Sequence, residues 1–301
     1  MRLWIALFMV VLLSPLLHAQ VPADSLPRPN TARLATVIGT EALIHTGLMI
    51  GLNELWYKDF PRSPLHSFND NREWLQMDKV GHAMTAYSVG LLGMESMRWA
   101  GLDERKARWW GGSTGWIFLS SVEILDGFSS EWGFSWGDMA SNTLGAGMLI
   151  GQDALWHEQR ITFKFSFSES PYAKLRPNVL GEGWNEEVLK DYNGQSYWLS
   201  VNVKDFLNES ARFPAWLSLG LGYGTDRQLV GNGVFAQIDQ GRTELYRGER
   251  QYYIGPEIDL WRIKTKSKAL RTVFRSIGFI KLPLPALRIQ EGQMKIQGFR
   301  F

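Results

Sequence analysis

The stretch DALWHEQRITFKFSFS, Asp153 to Ser168, decides the fold, because the period of the chain changes inside it. After Arg160, Ile161, Phe163, Phe165 and Phe167 fall on one side and Thr162, Lys164, Ser166 and Ser168 on the other, the two-residue alternation of a strand with one apolar face. Upstream, from Thr31 to about His157, the pattern is helical. Four apolar segments, near Thr31–Tyr57, Glu73–Ala100, Arg105–Leu125 and Ser135–His157, are separated by the turn-rich stretches PRSPLHSFNDN and DGFSSEWGFSWGD. Each segment carries polar or ionisable residues in its middle, so none reads as a solitary membrane span. Gly47/Gly51 and Gly147/Gly151, four apart, are expected to let helices approach closely.

Downstream the alternation returns in SYWLSVNV and AWLSLGLGY, with Asn193-Gly194 as a hairpin turn signal before the first. Weaker candidates are LVGNGVFAQI, RQYYIGPEIDLW, GFIKLPLP, PALRI and MKIQGFRF, giving about eight strands, while KSKALRTVFRS reads as helix. The expected fold is α+β: an N-terminal four-helix bundle followed by a C-terminal antiparallel β-sheet or small β-barrel. Its divisions are a signal peptide over residues 1–19, the helical bundle over 20–158 and the β region over 159–301. The terminal Phe299 and Phe301 resemble the insertion signal of outer-membrane barrels, although the last strand does not alternate cleanly.

Arg2 and the apolar run Leu3 to Leu17, leading to His18, Ala19 and Gln20, have the charged start, apolar middle and small-residue exit of a secretion signal, so the chain is expected to be exported to the outer membrane or periplasm. The 301 residues carry 32 basic against 30 acidic side chains, which makes nucleic acid a poor partner. The absence of cysteine excludes disulfides, thiol chemistry and thiolate zinc sites. A hydrophobic share of 45% is low for a wall-to-wall polytopic inner-membrane protein.

The chemistry sits in the helical half, in DKVGH, EILDG and SWGDMASN. Asp78 and His82 are four apart and share a helix face, as do Asp138 and Asn142, with Gly145 further along the same stripe. Glu123 and Asp126 are neighbours at three. If these stripes face one another, Asp78, His82, Glu123, Asp126 and Asp138, with Lys79 and Asn142, form one polar cluster suited to acid–base work or to holding a cation. Oxygen ligands plus one imidazole suit a calcium-, manganese- or iron-like ion rather than structural zinc; the residues name no cofactor. Each acid also has a structural reading. Ser135-x-x-Asp138 is a capping box, Asp126-Gly127 a helix terminus, Asp78 beside Lys79 a solvated pair, and Glu41/His45 a core pair. GGSTG at Gly111–Gly115 fits a nucleophile elbow only literally, since a charged helical stretch precedes it, and GAGMLIG lacks dinucleotide spacing. The fourteen tryptophans suit core packing or an aromatic girdle.

DKVGHAMTAYS, EILDGFSSEWGFSWGDMASNTLG and LKDYNGQSYWLS, in that order after a secretion signal, resemble the YfiM-like family of predicted periplasmic lipoproteins of unknown function. This chain departs from it in having no cysteine for a lipid anchor. More distantly, Asp78, Lys79, His82, Glu123, Asp138, Asn142 and Gly145 resemble the pattern of VanZ-like integral membrane proteins, with Asp126 where those more often show glutamine. The expectation is an envelope protein with a binding or structural role toward a lipid, a glycan or a protein partner, at the membrane or among other envelope components. The rival is an enzyme of envelope lipids or peptidoglycan precursors, with His82 as base or ligand, Glu123 and Asp126 as acid–base groups and Asp78 orienting His82.

Overall fold

The computed structural model describes residues 29–58, 60–208, 210–239 and 242–298. The segment read as a secretion signal, and Phe299 and Phe301, lie outside the described residues. Helices occupy the first half and an antiparallel sheet the second, in two compact units. One contains the described residues up to Asp70 and Gly81–Gln159; the other contains Asn71–Val80 and the chain from Arg160 onward.

The helical unit is built on α1 (Thr31–Leu52), α2 (Met77–Trp99), α3 (Thr114–Gly127) and α4 (Trp136–Trp156), of which α2 enters from the sheet unit at its first turn. Polar side chains start α1 and α4: Asn30 Oδ1 accepts the Arg33 N–H at 3.0 Å, and at the cap expected from the sequence Ser135 Oγ accepts the Asp138 N–H at 3.1 Å. His157 closes α4 in the left-handed region, φ 57°. The small residues that let helices approach are not the expected pairs. Gly47, Gly147 and Gly151 face open space, whereas a methyl on Gly145 would fall on the Ala83 carbonyl of α2, and one on Gly115 on the Ala86 carbonyl. Backbone thus packs on backbone where α3 and α4 meet α2.

Among the described residues α1 is the one helix long and apolar enough to cross a membrane, which corrects the expectation that none is. It is 22 residues, and its polar groups near Glu41 and His45 are too few to offset the apolar remainder. Val37 joins Met97, Ala100 and Ala107 in a buried cluster at one end of the unit. Most of α1 is exposed.

The sheet unit carries β1 (Ile161–Phe167), β2 (Gln195–Val201), β3 (Leu217–Asp226), β4 (Val234–Asp239), β5 (Arg242–Arg247), β6 (Glu249–Ile258), β7 (Ala286–Gln290) and β8 (Gln293–Gln297). The main sheet runs β1-β2-β3-β6-β7-β8 with every pair antiparallel, and β4-β5 form a separate hairpin. The sheet is open: β1 and β8 are its edges, so the small closed barrel is not formed. Part of the β1 edge is covered by a parallel bridge from Phe165 to Ile280. That contact comes from GFIKLPLP, where Pro283 and Pro285 supply no backbone donors and a full strand does not form. The hairpin signal Asn193-Gly194 makes the turn entering β2, with two short helices between it and β1.

The face of this sheet that is buried is the polar one. Thr162, Lys164 and Ser166 on β1, Ser200 on β2, Ser218 on β3, and Gln251 and Glu257 on β6 are buried. The opposite face aligns Phe163, Leu199, Leu221, Ile254, Leu287 and Ile296 in one cross-strand row, buried at Phe163 and most exposed at Ile296 on the β8 edge. Gly222 makes room on the polar face for the Trp198 ring, whose Cε3 would lie 2.7 Å from a Cβ there.

Three consecutive residues before α2, Trp74, Leu75 and Gln76, adopt left-handed backbone with φ of 46°, 50° and 63°. Each costs a non-glycine residue about 1–2 kcal/mol. The sheet unit holds the turn: the Trp74 N–H donates to the Gly231 carbonyl at 2.6 Å, the Tyr223 hydroxyl to the Leu75 carbonyl, and Arg250 Nη2 to Gln76 Oε1 at 2.6 Å. Asp78 follows directly, in the first turn of α2.

Candidate functional site

His82 of α2 lies at the centre of a buried cluster in the helical unit. Its Nδ1 is 3.0 Å from Asn142 Oδ1 on α4 and 3.7 Å from Glu123 Oε1 on α3. A proton on Nδ1, donated to Asn142 Oδ1, would turn Nε2 into a ligand or base, while burial pushes the neighbouring Glu123 carboxyl up to about 8. Asn142 is fully buried, and its Nδ2 has no hydrogen-bond partner. A ring nitrogen of His82 and a carboxylate oxygen of Asp138 lie within 4.8 Å of one another, a spacing that one cation can bridge. His82 retains some exposure while Glu123 and Asp138 are buried.

The structural reading of Asp138 as a capping residue explains half of its environment. Ser135 Oγ does accept the Asp138 N–H, but the Ser135 N–H, which a capping-box acid would take, goes to Glu123 Oε2 at 3.0 Å. The Ser135 hydroxyl itself donates to Asp70 Oδ1 at 2.6 Å. Glu123 thus closes the start of α4 with one oxygen and faces His82 with the other, which fixes three helices around the imidazole.

Of the remaining expected residues, Asp126 lies in the helical unit with His82, whereas Asp78 and Lys79 belong to the sheet unit. Asp126, one turn beyond Glu123 at the end of α3, accepts the Tyr57 hydroxyl at 2.6 Å. Asp78 stands four residues before His82 on the same helix; within the sheet unit its Oδ1 accepts the Tyr192 hydroxyl at 3.1 Å and its Oδ2 lies 3.6 Å from Lys79 Nζ. The Asp78–Lys79 pair is therefore real, but Lys79 is mostly buried rather than solvated. His45 packs edge-on against Phe118, with ring centroids 5.8 Å apart, consistent with a core role. Sequence reasoning missed Tyr57, at the end of the π-helical turn that continues α1, and Tyr192 and Asp70, which lie in irregular segments where no periodicity marks them.

It also missed a second set of buried charges in the sheet unit. Lys164 and Glu257 are both completely buried; Lys164 Nζ lies 3.0 Å from Asp259 Oδ1 and 3.9 Å from Glu257 Oε1, donates to the Gly278 carbonyl, and sits 4.2 Å from the Trp261 ring centroid. Lys281 Nζ lies 4.4 Å from the Trp198 ring centroid and donates to the Leu282 carbonyl at 3.2 Å. Burial pushes the Glu257 carboxyl up, against the pull of Lys164 and Lys281, and pushes the Lys281 ammonium down, against the pull of Glu257. The one advance signal was the position of Lys164 among the serines of β1.

A family model described as a predicted periplasmic lipoprotein (DUF2279) matches residues 67–151. The matched stretch contains His82, Glu123, Asp126, Asp138 and Asn142, and ends before the sheet. Searches of curated proteins and of solved structures found no match. The similarity is to a family of periplasmic lipoproteins of unknown function, and it agrees with an apolar N-terminal segment of the kind that directs export.

Proposed function

We propose that this is a cell-envelope protein with a binding role, whose helical unit holds a divalent cation between His82 Nε2 and the Asp138 carboxylate. The observation that carries the reading is the proximity of a His82 ring nitrogen to an Asp138 carboxylate oxygen, within 4.8 Å. The Asn142 Oδ1 contact at His82 Nδ1 orients the imidazole, in the way that carbonyl groups orient metal-binding histidines. Glu123 and Asp138 are both buried; burial pushes the Glu123 carboxyl up to about 8, and a bound cation would favour its ionised form. One imidazole among oxygen donors favours manganese- or iron-like ions over structural zinc. The resemblance of the surrounding motifs to YfiM-like and VanZ-like sequences supports an envelope setting, with the outer membrane as the site of action.

A proton on Nδ1 would also serve a second reading, in which Nε2 acts as a general base and Glu123 stabilises the imidazolium, as an enzyme of envelope lipids or peptidoglycan precursors would require. Calorimetric titration of the purified full chain with manganese, calcium and zinc separates the two. The binding reading expects one saturable site that is lost in His82→Ala and in Asp138→Asn. Affinity unchanged by both substitutions would refute it.

A further inference from the structure

The helical unit buries polar residues and shows its apolar ones. Glu123, Asp138, Ser141, Asn142, Gln152 and Asp153 are buried, while Leu43 is 74%, Leu144 71% and Leu155 75% exposed, joined by Ile50 and Ile124. These come from α1, α3 and α4, so the apolar surface lies on several sides of the unit rather than in one seam. A helix in water shows the reverse arrangement, with its apolar stripe turned to the core. Among the described residues, a methyl on Gly39, Gly47, Gly147 or Gly151 would likewise meet nothing within 4 Å.

Length and end chemistry say what covers this surface. At about 1.5 Å per residue, the 22 residues of α1 measure roughly 33 Å, against a bilayer hydrocarbon core of about 30 Å. Tryptophan marks both ends of α4, with Trp136 72% exposed at its start and Trp156 at its close. Ionised side chains gather beyond one end. Arg98 and Arg108 hold Asp153, Arg33 stacks over Trp99 at 5.0 Å, and Glu104 pairs with Arg98. Beside them a groove of about 420 Å³ is lined by Asp103, Arg105, Lys106, Trp109 and Trp110, both tryptophans being exposed.

We propose that the helical unit is embedded in a lipid bilayer, with its outer apolar surface against acyl chains and the Arg105–Lys106–Trp109–Trp110 groove at an anionic headgroup layer. Glu41, the one carboxylate in α1, is partly buried rather than turned outward, as lipid contact requires. The inference stands on the outer surface and is independent of the cation reading, which concerns the interior.

The sequence contains no cysteine, so a single introduced cysteine is a unique label site. Full-length Leu144→Cys, Ile124→Cys and Leu155→Cys, each carrying an environment-sensitive fluorophore, are reconstituted with phosphatidylcholine–phosphatidylglycerol vesicles containing acyl-brominated lipid; Glu182→Cys on the sheet unit is the control. The expected result is blue-shifted emission quenched by bromine at the three helical positions and neither effect at Glu182. Replacing Arg105 and Lys106 by glutamine is expected to weaken association with the anionic vesicles by about five-fold per charge, leaving pure phosphatidylcholine unaffected. Water-like emission at all three positions would overturn the proposal. So would shielding that depends on protein concentration and needs no vesicles, which would assign the surface to a second copy of the chain.

Discussion

The helical unit and the sheet unit both turn polar side chains inward, yet they treat the resulting charge in opposite ways. In the sheet, two cations, Lys164 and Lys281, are buried with two acids, Glu257 and Asp259, and the set is electrically balanced. In the helices, Glu123 and Asp138 are buried near His82, and burial pushes the Glu123 carboxyl up to about 8. The sheet set carries its own cations, whereas the cation proposed for the helical set comes from outside the chain.

The strongest way to break the contrast is to unbalance the sheet. Lys164→Met leaves Glu257 and Asp259 buried without their main cation and is expected to destabilise the protein by about 3–5 kcal/mol in chemical denaturation. A loss below 1 kcal/mol would show that the sheet cluster is not the compensated unit described. Next comes completing the helical set: a bound divalent cation at one hundred times its dissociation constant is expected to raise stability by about 2.7 kcal/mol. The gain should vanish in Asp138→Asn; an equal gain in wild type and variant would remove the asymmetry between the units.

Gly145→Ala tests whether the helical cluster depends on backbone contact. The added methyl meets the Ala83 carbonyl, and a loss of about 1–3 kcal/mol is expected, together with weaker cation binding because α2 and α4 carry the two ligands. Gly147→Ala, which faces open space, is the matched control: it should leave cation binding unchanged and gain about 0.5–1 kcal/mol from helix propensity. The smallest effect is a pH slope in the sheet. Because the folded Glu257 carboxyl is raised, its contribution is complete below its ordinary value of 4.5 and is lost as pH rises through the folded value. Stability should therefore decline above about pH 4.5 by at most about 1.4 kcal/mol per pH unit, and Glu257→Gln should flatten that decline. Identical pH profiles would show that Glu257 keeps its ordinary protonation in the fold.

Much of the architecture was legible because periodicity is a local property. The switch after Arg160, the Ser135 cap, the His82 and Asn142 stripes and the helix at Lys268–Ile277 all follow from spacings of two, three or four residues. What was hidden is non-local. Which face of a strand is buried depends on what lies across it, so alternation placed Lys164 opposite the phenylalanines without revealing that the lysine side is the interior. Charged β5, Arg242–Arg247, was missed because its β-pairing with β4 does not depend on an apolar face. The glycines that matter, Gly115 and Gly145, differ from Gly147 and Gly151 only in facing another backbone.

The left-handed turn at Trp74–Gln76 gives α2 a wound-spring character at its start. Its handedness is held from outside, by Gly231, Tyr223 and Arg250, rather than by its own sequence, since Glu73, Leu75 and Gln76 are good helix formers. Release of those three contacts would let the segment rewind to the right-handed sense and lengthen α2 backward by one turn. The amide hydrogens of Trp74 to Gln76 would then exchange with solvent together, reporting each loosening of the sheet unit in the helix that presents Asp78.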